Sequence, residues 1–185
     1  MATEEQLLYN AYVAIGHPNN ERAGQKLTVP NREVTKLGFW LFKQGAPTGM
    51  ITFIIYRVSD EAVLASKDWG DASALDVYPN VLYCEVEFGA PVVIDTEVVM
   101  CAVDVESSNT NFPNVAYQNT DVKADENLRS WNPSSWTERL TWDCAYRYTY
   151  ETAPAGWQGK INGVTNPASI MGVDVANIVS VNGVA

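Results

Sequence analysis

Val34-Thr-Lys-Leu-Gly-Phe-Trp-Leu-Phe-Lys43, then Gln44-Gly-Ala-Pro-Thr-Gly49, then Met50-Ile-Thr-Phe-Ile-Ile-Tyr-Arg-Val58 is the stretch that decides the fold class. In the first run Leu37, Phe39 and Leu41 alternate with Gly38, Trp40 and Phe42. In the second, Ile51, Phe53 and Ile55 point one way, and Thr52 and Tyr56 the other. A period of two places alternate side chains on opposite faces of a strand. Aromatic and β-branched residues suit that pleated surface. The Gly/Pro spacer reads as a turn, so the two runs predict a hairpin.

The same alternation recurs on both sides. From Val81 to Phe88, Leu82, Cys84, Val86 and Phe88 point inward while Glu85 and Glu87 point out. Val98 to Val105 reads as a core strand, and Asn114 to Gln118 as a short one. Trp142, Cys144, Tyr146, Tyr148 and Tyr150 share one side of the last strand of the body. Lys67 to Asn80, with Trp69, reads as loop, as do Ser107 to Pro113 and the polar run from Asp121 to Pro133. Only Glu4 to Ile15 suits a helix, and its Tyr9, Tyr12, Val13 and Ile15 suit a strand as well. Many short strands with turn signals between them predict an all-β protein, and the long, uneven loops favour a jelly-roll β-sandwich. The expected organisation is an N-terminal arm or first strand over 1–21, a sandwich over 22–152, and a short β-rich extension over 153–185 beyond the Thr152-Ala-Pro-Ala-Gly156 break.

Charge narrows the partners. The formal net charge is −10, with 12 basic against 22 acidic residues. Nucleic-acid binding needs clustered Lys and Arg to displace counterions, and here they are scattered. No apolar run is long enough for a membrane helix, and Met1-Ala-Thr-Glu-Glu5 lacks the pattern of a signal peptide. Cys84, Cys101 and Cys144 lie in apolar, strand-like runs, which predicts buried, reduced thiols; one disulfide with a spare thiol is the alternative.

Catalytic signals are sparse. His17 is the single histidine, in a polar loop, with no Gly-x-Ser-x-Gly elbow to accompany it. Three separated cysteines and one histidine do not make a zinc pattern. Calcium would need convergent oxygens; Asp121, Asp125 and Glu126 are weak candidates, as are Asp68, Asp71 and Asp76, and solvated acidic loops are the plainer reading. No carboxylate pair stands out for glycoside hydrolysis. The aromatics carry more weight. Trp69, Trp131, Trp136 and Trp157 lie in polar surroundings, and Trp131-Asn132-Pro133-Ser134-Ser135-Trp136 has the composition of a glycan platform, with rings for stacking and polar groups for hydroxyls. The competing reading is that these rings cap the sandwich; Trp40 and Trp142, within strands, read as core.

The C-terminal residues repeat a phrase: Lys160-Ile-Asn-Gly-Val164, Ser169-Ile-Met-Gly-Val173 and Ser180-Val-Asn-Gly-Val184. Ile161, Val164, Ile170, Val173, Ile178, Val181 and Val184 would supply apolar grip, either on the chain's own sheet edge or, by strand addition, on a neighbour.

A resemblance rests on the order of features: Gly24-Gln-Lys-Leu-Thr-Val29, Val34 to Phe42, Pro47-Thr-Gly49 before Ile51 to Tyr56, Val63-Leu-Ala-Ser66, Tyr83-Cys-Glu-Val-Glu-Phe88, Val98 to Val103, Trp136, and Trp142 to Tyr148. Residues 22 to 150 resemble the jelly-roll, carbohydrate-binding-like or "choice-of-anchor" modules of prokaryotic surface proteins and phage structural proteins. The repeated phrases resemble the C-terminal ends of phage virion proteins. The resemblance implies a non-enzymatic virion component, such as a capsid decoration, head fibre or tail part, made in the host cytoplasm and assembled with sister subunits or other virion proteins. The alternative is a carbohydrate-binding module for a host surface glycan that uses Trp131, Asn132, Trp136 and Trp69. The resemblance carries over no catalytic residue and no required cofactor.

Overall fold

The computed structural model describes residues 1–16, 20–104, 108, 110–132 and 134–152, and the backbone of four short strands beyond them. Residues 1–151 form one compact unit and 152–185 a second.

The first unit is built from β1 (Ala2–Gln6), β2 (Ala11–Ala14), β3 (Arg22–Gln44), β4 (Met50–Arg57), β5 (Val63–Asp71), β6 (Leu82–Val103), β7 (Phe112–Gln118), β8 (Asn127–Asn132), β9 (Ser135–Arg139), β10 (Asp143–Cys144) and β11 (Tyr146–Thr152). A 3-10 turn, Ala72–Ala74, interrupts the series. The all-β class read from the sequence is observed, with antiparallel strand pairing throughout the named strands.

The long strands β3 and β6 run side by side and organise the rest. Their register shifts between Val29 and Arg32 and again between Val34 and Lys36. Pro30 lies in the first gap, and Pro91 opposite the second. Proline has no N–H to give a ladder, so pairing breaks there and the bulged ribbon bends. One side of the bend carries β9-β8-β3-β6-β4-β5, with β8 on Arg22 to Lys26 and β4 on Val98 to Val103. The other carries β1-β11-β3-β6, with β7 on Leu41 to Gln44 and β2 and β10 on β7. The result is sandwich-like. Phe39 from one side meets Phe53 from the other, ring centroids 5.2 Å apart and perpendicular. Around them Leu27, Val29, Leu37, Leu41, Ile51, Ile55, Val86, Tyr146 and Tyr148 form one continuous core.

The inward sets predicted from alternation are observed in the core, including Cys84, Val86 and Phe88 on β6 and Cys144, Tyr146 and Tyr148 at the end of the body. The predicted hairpin between the runs around Gln44 to Gly49 is not formed. β6 lies between β3 and β4, so the Gly/Pro segment crosses between the two sides of the bend. The first residues are sheet strands, not a helix: β1 pairs with β11 and β2 with β7. Two predicted loops hold strands, since Trp69 lies in β5 and Trp131 in β8. All three cysteines are free and buried. Burial pushes the thiols of Cys84 and Cys101 up to about 12, and that of Cys144 well above its ordinary value.

In the second unit the first two repeated phrases form short hairpin ladders. β12 (Lys160–Ile161) joins β13 (Val164–Thr165), and β14 (Ser169–Ile170) joins β15 (Val173–Asp174), each ladder two residues on two. Asn162 and Gly163 between the first two arms are the dipeptide favoured in two-residue hairpin connections.

Candidate functional site

The β8–β9 hairpin brings Trp131 and Trp136 into direct cross-strand opposition. Their centroids are 5.3 Å apart with the rings at 68°. Both are half-buried on the outer face of the sheet, where Trp136 packs on a second apolar cluster of Val99, Cys101 and Val103. The guanidinium of Arg22 lies 4.9 Å from Trp131, 5.2 Å from Tyr56 and 5.9 Å from Trp136. It donates to the Tyr56 hydroxyl at 2.8 Å, while its buried Nε has no hydrogen-bond partner among the described residues. Burial raises the Tyr56 phenol. This is a cation held against three rings, in the geometry that a ring quadrupole favours.

The other proposed members separate from this pair. The Asn132 side-chain oxygen accepts from the backbone N–H groups of Ser134 at 3.0 Å and Ser135 at 2.9 Å. It closes its own turn, as Asx residues do. Trp69 packs against the main core from β5, with β3, β6 and β4 between it and β8. Trp40 is not core as expected: with Leu41 and Phe39 inward, it turns outward and lies 4.5 Å from Tyr83. Arg147 stacks over both rings. Gly38 makes room for this, because a Cβ there would meet the Tyr83 ring at 2.6 Å. Trp142 is partly buried against the core, stacked 4.9 Å from Tyr117. His17, Trp157, Ile178, Val181 and Val184 lie outside the described residues, and only the backbone of Ile161, Val164, Ile170 and Val173 is described.

The weak calcium candidates do not converge. No group of three or more His, Cys, Asp or Glu side chains suited to a metal occurs among the described residues. Asp121 and Asp125 are exposed. Glu126 instead accepts from the Tyr146 hydroxyl at 2.7 Å, and burial raises its carboxyl. The acidic loop is tied down by protein groups. Asp143, fully buried, accepts from the N–H groups of Val122 at 2.7 Å and Lys123 at 3.1 Å, and from Gln25 at 2.7 Å. Gln6 on β1 donates to the carbonyls of Asp143 and Cys144, both at 3.2 Å. Lys123 pairs with Glu4 and stands 3.8 Å from Glu126. Burial works to raise Glu4, but Lys123 and Arg32 outweigh it and hold the carboxyl below its ordinary value. This network fastens β1 and the loop to β10 and the start of β11, and its polar groups satisfy one another. Sequence reasoning missed it, although Gln25 at an inward position among apolar residues was a sign.

Asp68 and Asp71 likewise serve local structure. Asp68 accepts from Thr52 at 2.7 Å, and Asp71 from the N–H of Ser73 at 2.8 Å.

No protein-family model matches the chain, and a search of the curated proteins finds no match either.

Proposed function

We propose that the protein is a non-enzymatic structural component of a virion. Residues 1–151 would be a displayed, jelly-roll-type module, and residues 152–185 the part that attaches or oligomerises it. The supporting observation is the size of the ladders in the second unit, two residues on two in each hairpin. An isolated two-stranded hairpin is marginal in water. Units this small draw stability from a partner surface, here a sister subunit or another virion protein. The large core of residues 1–151 supports the module as the displayed part. The test is solution mass by light scattering, for the full chain and for a chain ending at Thr152. The reading expects a closed oligomer from the full chain and a folded monomer from the shorter one. A monomer in both cases sinks self-assembly through residues 152–185.

A second reading, glycan binding, is favoured by the half-exposed cross-strand pair Trp131 and Trp136 with Arg22 beside them. Titration with oligosaccharides, compared with a Trp131→Ala, Trp136→Ala double variant, tests that position.

A further inference from the structure

Tyr12 on β2, Phe42 near the end of β3, and Tyr78 in the segment before β6 meet around an open hollow of about 390 Å³. Phe42 is buried and forms its base. Tyr12 stands 4.8 Å from Phe42 and 5.4 Å from Tyr78, both edge-on, and Phe42 lies 5.5 Å from Tyr78. The two tyrosines remain 42% and 56% exposed, so apolar ring surface faces solvent in a concave setting. Gly45, with φ of 69°, turns the chain away at the rim in a conformation that glycine adopts without strain.

We infer that this hollow is a binding site for a neutral carbohydrate. The inference rests on the glycan-binding reading but moves the site away from Trp131 and Trp136. Three features select the ligand. The volume lies in the range of small-molecule sites, whereas a protein partner needs about 800 Å² of contact on each side. The lining holds one charged side chain, Lys43, whose ammonium donates to the carbonyl of Ser73. Polar groups at the rim are amphoteric. The phenol hydroxyls of Tyr12 and Tyr78 can each donate and accept. A carboxamide, from Gln44 on the same rim, does the same. Sugar rings present C–H faces for aromatic stacking and hydroxyls at their edges, which matches this surface.

Position agrees with display. Thr35 on β3 donates to the carbonyl of Thr149 at 3.2 Å, near the corner where the chain leaves β11. From Thr35 to Lys43 the strand rises about 26 Å. The hollow therefore opens at the end of β3 away from Thr149.

Saturation-transfer NMR on the full chain, with cellotetraose, maltotetraose, galactobiose and triacetylchitotriose, tests the inference. At least one sugar should receive saturation at its ring C–H protons, and Tyr78→Ala should weaken it about tenfold. Gln44→Ala, at an exposed position, should weaken it too, while Trp131→Ala with Trp136→Ala leaves it unchanged. If the Trp pair abolishes transfer and Tyr78→Ala does not, glycan binding stands and the hollow is wrong. Absence of transfer to every sugar overturns both.

Discussion

β3 and β6 hold each other from Arg22 to Leu41 with only two register shifts, while each ladder beyond Thr152 joins two residues to two. Both regions use the same materials, namely β-branched residues, alternation and a Gly-containing connection. The body shows how such a ladder is held. The body's ribbon bends at Pro30 and Pro91, so its inner face packs on itself around Phe39 and Phe53, and arginines stack over much of the outer aromatic surface. Ladder length alone does not make a stable sheet; a covered face does.

Truncation of Phe53 to Ala should break the contrast most severely, because it opens the centre of the body's core. A loss of about 3–5 kcal/mol in chemical denaturation is expected. Next comes Asp143→Ala, which strips a buried acceptor from two backbone N–H groups and Gln25. About 3 kcal/mol should be lost, with faster hydrogen exchange at Val122 and Lys123. Smaller is Glu126→Gln. A carboxyl raised by burial costs stability as pH climbs from its unfolded value through its folded one. The variant should flatten that fall, measured as melting temperature against pH. Glu4, held low, acts with the opposite sign: its contribution is present above its unfolded value and fades as pH falls through its folded one. The smallest effect should come from ending the chain at Thr152. The body's melting temperature should stay within about 2 °C, since the body has its own core; a larger drop would mean that residues 152–185 help hold it.

Strand identity was legible where alternation is local, as from Leu37 to Leu41, Ile51 to Ile55 and Leu82 to Phe88. Pairing was not, because which strand lies beside β4 depends on β6, about forty residues away in sequence. Glu61 to Ser66 read as a short strand, but the second half of β5, from Lys67, resembled a loop because an edge strand carries charges such as Lys67 and Asp68 that discourage further pairing. At the candidate sites, composition singled out Trp131 and Trp136, and the β8–β9 hairpin sets them side by side. It could not reveal that Asn132 closes its own turn or that Arg22, more than a hundred residues upstream, would lie on the rings. Tyr12, Phe42 and Tyr78 carried no shared signal, since three separate segments bring them together.

β11 lies between β1 and β3, with Ala2 opposite Tyr150. If the body is gripped at its far end and tethered beyond Thr152, tension runs along the axis of β11. A strand flanked on both sides and pulled lengthwise loads the rungs of both ladders together, in shear, whereas an edge strand pulled sideways yields them singly. The module would then resist mechanical force best along the line joining tether to target.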